Sequence, residues 1–288
     1  MTLPATRARH AGLVATLLFS ATVALAAPAL PEGVRLMADL PYGQDARQRM
    51  DVYLPAQAAN APVIVMVHGG AWMVGNKAMP RVVENKVAWW VKRKGYIFVS
   101  VGYRLMPQAD PLLQARDVAT ALARAQGLAA SWGGDPAKFI LMGHSAGAHL
   151  AALLAASPAL ARQAGARPWL GTVALDSAAL DLERIMNARH MGFYDRVFGA
   201  DPAYWRSVSP SSVLAAGAAP MLLVCSTQRA DGSCAQSRDF ADKVKAKGGR
   251  AGVLPQDLTH EQVNTTLGLP GAYTEAVDGF IADLLARQ

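Results

Sequence analysis

Ser145 stands at the centre of Gly143-His144-Ser145-Ala146-Gly147, a G-x-S-x-G pentapeptide that leaves the apolar run FILM and enters an alanine-rich stretch. A strand turning sharply into a helix at such a point lifts the serine hydroxyl above the sheet, and flanking glycines permit the turn. The helix that follows aims free N–H groups at the serine and favours negative charge developing there. A serine hydroxyl attacks an acyl carbon only if a base takes its proton and hydrogen-bond donors receive the oxyanion. The chain must therefore supply a histidine, an acid to orient it, and a pair of donors.

Six histidines are available. His10 lies near the N-terminus, His68 in a His-Gly-Gly turn, His144 and His149 beside the serine, and His190 in a long insertion. His260, in DLTHEQVN before the last helical stretch, is the expected base, because the chain order serine, acid, histidine puts the base there. His144 should point away from the hydroxyl at a sharp turn, and His149, inside the following helix, reads as a packing residue. The expected acid is Asp231, in VCSTQRADGSC after the penultimate strand; Asp176, at the end of the strand before it, is the second choice. Asp181, Asp195, Asp201 and Asp239 read as solvated carboxylates, and Asp257 is too near His260 in sequence. VHGGAWMVGNK follows an earlier strand, so the backbone N–H groups of Gly70 and Ala71, with that of Ala146, are the expected oxyanion donors.

These groups need a frame. Apolar runs at 61–67, 96–101, 138–143, 171–176, 220–226 and 251–255 read as strands, and 80–94, 110–131, 145–157, 234–247 and 271–286 carry helical spacing. The alternation predicts an α/β fold with a mostly parallel central sheet and helices on both faces. GVRLMADLPYG and QRMDVYLP alternate apolar and polar residues, as an antiparallel pair at the sheet edge would. Residues 177–217 are too long for an ordinary connection and predict a small inserted cap. Its Met191, Phe193, Tyr194, Tyr204 and Trp205 either line a pocket or fasten the cap to the core.

Arg7, Arg9 and His10 precede the apolar run AGLVATLLFSATVALAA, which ends with Ala24-Leu25-Ala26, the small-x-small pattern of a signal peptide cut after Ala26. An uncleaved anchor is the rival reading. The mature domain, 27–288, is then periplasmic or secreted, without stable membrane insertion. Cleavage removes Arg7 and Arg9 and no acid, so the net charge falls from +7 to +5. Without a dense basic run that excess gives no reason to expect nucleic acid as a partner. In an oxidising compartment Cys225 and Cys234 predict a disulfide that closes the loop around Asp231. No phosphate-binding loop or metal-ligand spacing is present, so neither cofactor nor metal is expected. Asn264-Thr265-Thr266 matches a glycosylation acceptor by coincidence.

HGGAWMVGNK, VSVGYRL, GHSAGAHL, the cysteine-bracketed Asp231 segment and LPQDLTHEQVN resemble the α/β-hydrolase superfamily. Within it, the resemblance is to exported bacterial esterases near the kynurenine-formamidase and the feruloyl or acetyl-xylan esterase-like groups. It implies Ser145 as nucleophile, His260 as base, Asp231 as acid, and Gly70, Ala71 and Ala146 as oxyanion donors. Ala71 replaces the third glycine of the lipase HGGG form, and His144 stands where hormone-sensitive-lipase relatives carry Asp; both favour the formamidase-like branch. The expectation is a carboxylesterase for short acyl or aryl esters, its partner a small-molecule ester. An amidase or arylformamidase is the rival enzyme, and a catalytically silent binding scaffold the rival from another class.

Overall fold

The computed structural model describes residues 30–288, with Thr2 besides; the expected signal peptide lies outside the described residues. Eight strands make one sheet: β1 (Arg35–Pro41), β2 (Arg49–Leu54), β3 (Ala61–Val67), β4 (Ile97–Val101), β5 (Gly134–His144), β6 (Gly171–Leu175), β7 (Met221–Ser226) and β8 (Ala251–Gln256). Their order is β1-β2-β4-β3-β5-β6-β7-β8. β1 and β2 are antiparallel to their neighbours at one edge, and the rest run parallel.

The continuous apolar runs follow from burial on both faces. Val63, Val65 and Val67 of β3 and Phe139 and Leu141 of β5 face one apolar cluster. Ile64, Met66, Ile140 and Met142 face the other. The first face is covered by α2 (Pro111–Leu128), α3 (Ala146–Ala156) and α9 (Ser233–Ala246). The second is covered by α1 (Pro80–Lys86), α10 (His260–Thr265) and α11 (Ala272–Ala286). The helical stretch expected over 80–94 is two pieces, α1 and then a π-helical segment, Val87–Arg93, which turns Trp89 and Trp90 inward. A short helix, α4 (Pro158–Gln163), extends the layer after α3.

Between β6 and β7 the chain forms four short helices: α5 (Leu182–Met186), α6 (Phe193–Phe198), α7 (Pro202–Ser207) and α8 (Pro210–Val213). None is long enough to be stable alone; aromatic packing fastens them. Trp72, from the loop after β3, meets Phe198 edge-on at 4.9 Å and Tyr194 at 6.0 Å between ring centroids. Trp205 is buried and donates its indole N–H to the carbonyls of Phe198 and Gly199.

Candidate active site

The carboxyl ends of β3, β5, β6 and β7 deliver the polar groups to one place, as open α/β sheets commonly do. Ser145 follows β5 directly with φ 56° and ψ −118°, a left-handed geometry strained for a side-chain-bearing residue. Two glycines make it possible. A Cβ on Gly143 would stand 2.2 Å from the Gly147 carbonyl oxygen, and one on Gly147 would stand 2.2 Å from that of Val67. The Ser145 N–H donates to Leu175 O at 2.9 Å, which ties the turn to the end of β6. The residue just after β6 is Asp176, also at positive φ, 57°.

Ser145 Oγ lies 2.9 Å from His260 Nε2, and His260 Nδ1 lies 2.6 Å from Asp176 Oδ2. With Nδ1–H donating to the carboxylate, Nε2 is free to accept from the serine hydroxyl. Asp176 is fully buried, and its other oxygen accepts the Ser226 N–H at 2.8 Å. Burial alone would raise the Asp176 carboxyl. The hydrogen bond from His260, the Arg229 charge and the Ser226 N–H outweigh it and hold the group at about 2. The hydrogen-bonded chain is thus carboxylate, imidazole, hydroxyl.

Asp231, the expected acid, is not part of that chain. Its carboxylate is held by Arg229, with Nε donating to Oδ1 at 2.9 Å and Nη2 to Oδ2. The residue on His260 is Asp176, the second choice. The reason is register: Leu175 pairs with both His144 and Val224, so the residue after β6 comes level with Ser145. Asp231 lies farther along the loop, beyond Arg229, whose guanidinium occupies the space beside the imidazole. The expected disulfide is present, Cys225 to Cys234, and closes this loop.

The loop after β3 faces the serine. Gly70 has φ 128°, and a Cβ there would meet the Val74 carbonyl oxygen at 1.9 Å; Ala71 and Trp72 follow at 48° and 61°. This winding leaves the N–H groups of Gly70 and Ala71, with that of Ala146, without an acceptor among the described residues. All three residues line the cavity that holds Ser145 and His260.

Three further described histidines, His68, His144 and His149, are buried. Burial pushes His144 down to about 3; its Nε2–H donates to the His260 carbonyl at 2.9 Å, away from the serine hydroxyl. His149, lowered by burial to about 4, accepts the Trp72 indole N–H at Nδ1 and donates from Nε2 to Val208 O. It therefore links the loop after β3 to the cap. His68, also held near 4 by burial, stacks on Tyr103. Asn264 is buried and donates to Arg81 O, so the glycosylation match is inaccessible.

The cavity measures about 1240 Å3 and has an apolar wall of Val74, Met79, Ile185, Met191 and Phe193. The large apolar side chains of the cap divide: Met191, Phe193 and Tyr194 line it, while Trp205 fastens the cap. No described helix is long and apolar enough to cross a membrane.

The probable isoprenylcysteine alpha-carbonyl methylesterase ICMEL1 of Oryza sativa subsp. japonica is 35% identical over 112 residues, 38% of this chain and 25% of that protein. Esterase LipQ of Mycobacterium tuberculosis is 32% identical over 233 residues, 73% of this chain and 53% of LipQ. The chain thus spans from a quarter to about half of these relatives' lengths. Among solved structures, esterase B from Lactobacillus rhamnosis superposes with a TM-score of 0.71 at 22% identity, covering 90% of this chain and 87% of that one. That likeness identifies the architecture as the α/β-hydrolase fold. The BD-FAE family model matches residues 50–244, from the second strand through α9 and across the serine turn, and the chain belongs to that family.

Proposed function

We propose that the protein is a serine hydrolase, a carboxylesterase for short acyl or aryl esters, working through an acyl-enzyme. The observation that carries this reading is the continuous hydrogen-bonded line from Asp176 through His260 to Ser145. In the proposed cycle Ser145 Oγ attacks the ester carbonyl while His260 Nε2 takes its proton. Asp176 holds the Nδ1–H tautomer and balances the imidazolium charge. The oxyanion is received by the N–H groups of Gly70, Ala71 and Ala146. His260 returns the proton to the leaving alcohol; water, deprotonated by the same imidazole, then releases the acid and restores Ser145. Asp176 takes the role that the sequence assigns to Asp231.

The apolar wall and the size of the cavity favour a substrate with an apolar acyl or aryl group. Export to the periplasm or medium is part of the proposal, supported by the N-terminal pattern and by the Cys225–Cys234 bond. The test is hydrolysis of p-nitrophenyl esters from acetate to palmitate, with an aryl formamide alongside, by wild type and Ser145→Ala. Short-chain turnover that vanishes in the variant, with fluorophosphonate labelling of wild type only, is the expected result. Turnover of the formamide alone would replace the esterase reading with the amidase one. Absence of both turnover and labelling would leave a binding scaffold.

A further inference from the structure

Among the described residues Arg229 is the Lys or Arg side chain paired with Asp176, and the proposed cycle does not use it. It lies three residues past β7 in the loop that the Cys225–Cys234 bond closes, and its side chain is only 16% exposed. Nη1 donates to the Asp176 backbone carbonyl at 2.8 Å and to Oδ2 at 3.1 Å, and stands 2.9 Å from His260 Nδ1. On its other side the guanidinium is held by both oxygens of Asp231. Asp176 therefore has every direction occupied: Ser226 N–H on Oδ1, His260 and Arg229 on Oδ2, and Arg229 again on its carbonyl.

That arrangement answers a physical problem. Asp176 has a left-handed backbone and no room to share its charge with water. Left to the backbone alone, the carboxylate could rotate off the imidazole. A planar guanidinium can hold Asp176 through Nη1 and the Asp231 carboxylate through Nε and Nη2 at once, a spread of donors that a single ammonium nitrogen lacks. A bare cation beside Nδ1 would also oppose the imidazolium that forms when Ser145 gives up its proton. Asp231 cancels that opposition by neutralising the guanidinium from outside. His260 is faced by Asp176 after β6, Arg229 after β7, His144 at the end of β5 and Ser145 just after it.

We infer that Arg229 is a positioning residue for the hydrolytic reaction, holding Asp176 on His260, and that Asp231 acts through Arg229 by fixing and neutralising it. The loop after β7 thus serves the acid without supplying it. This inference rests on the Ser145, His260 and Asp176 assignment proposed above.

The test is a mutant cycle of Arg229→Met and Asp176→Asn, with Arg229→Lys and Asp231→Asn as companions. Each is read by steady-state hydrolysis of an uncharged p-nitrophenyl ester and by the rate of fluorophosphonate labelling, with a thermal melt for each protein. Arg229→Met should lower kcat by about 10- to 100-fold, the loss of one charge-assisted hydrogen bond at the acid, with KM within about twofold. Arg229→Lys should recover part of it, and Asp231→Asn should lose less than Arg229→Met. In the Asp176→Asn background, Arg229→Met should cost less than about threefold further, because the group it acts through is gone.

An equal loss in both backgrounds would overturn the inference in favour of general structural damage. A loss confined to KM would overturn it in favour of substrate contact. If Arg229→Met fails to fold, the same comparison is made with Arg229→Lys and Asp231→Asn. Should Asp176→Asn itself retain full activity, the underlying assignment falls. Should Asp176→Asn cost a thousandfold while Arg229→Met and Arg229→Lys cost nothing, only the present inference falls.

Discussion

Replacing Asp176 by Asn changes one atom in a fully buried group, and the structure says what that atom does. One carboxylate oxygen accepts from Ser226 N–H at 2.8 Å and the other from His260 Nδ1–H at 2.6 Å. An amide has only one acceptor oxygen. If it stays on Ser226, its NH2 faces His260, which must then accept at Nδ1 and carry its proton on Nε2, toward Ser145. In that tautomer the imidazole cannot take the serine proton, and no carboxylate remains to balance an imidazolium. The expected fall in kcat is about 10³- to 10⁴-fold, or about 4 to 5.5 kcal/mol of transition-state stabilisation. Asp231→Asn, which has no contact with the imidazole, should fall by less than about tenfold. The assay is p-nitrophenyl butyrate hydrolysis by both variants, with melting curves to show that each is folded. A large loss in Asp231→Asn with near-normal activity in Asp176→Asn would refute the assignment of the acid to β6.

Three further outcomes follow from packing and charge. His68, His144 and His149 are buried and neutral, lowered by burial to about 4, 3 and 4, whereas the unfolded chain protonates them near 6.5. Stability should therefore drain away as pH falls from about 6.5 toward 4, by roughly 2 kcal/mol per histidine at pH 5. Asp176, with its depressed carboxyl, stabilises above the usual carboxylate range and loses that contribution only as pH falls toward about 2. Urea titrations at pH 7, 6 and 5 with unchanged midpoints would contradict the histidine account. Cys225→Ser with Cys234→Ser removes a short closed loop worth about 2 to 3 kcal/mol, or roughly 5 to 10 °C in melting temperature. It also frees Arg229, so activity at temperatures well below the melt should drop as well; unchanged kcat there would separate the bond from the site. Gly147→Ala would put a Cβ 2.2 Å from Val67 O and 2.5 Å from His68 O, against rigid backbone. It should destabilise by about 3 kcal/mol or more, and melting within about 1 °C of wild type would show that α3 can lift off β3 without cost.

Much of the molecule was legible in the chain. The strands show as apolar runs because both faces of a parallel sheet are buried, and the serine and histidine show because each stands where a strand passes into a turn or helix. The glycines around Ser145 announce a close approach that no side chain would survive. The Cys225–Cys234 pair could be read from proximity in sequence and from the export that the N-terminal pattern predicts. The π-helical segment after α1 could not, because seven residues are too few for the wider turn to shift the apolar spacing visibly.

The acid is what the linear pattern leaves undecided. Asp176 and Asp231 both lie between Ser145 and His260, and both follow a strand. Chain order treats them alike. What separates them is the alignment of β5, β6 and β7, which brings Asp176 level with the serine turn, and a guanidinium that reaches the imidazole before Asp231 can. Trp72 and His149 give the same lesson, 77 residues apart in the chain yet joined by a 3.1 Å hydrogen bond under the cap. Residue types and their local spacing therefore determined which chemistry the chain could perform. Which carboxylate serves it was decided only by the register of neighbouring strands and by competition among charges for one buried place, neither of which a linear pattern records.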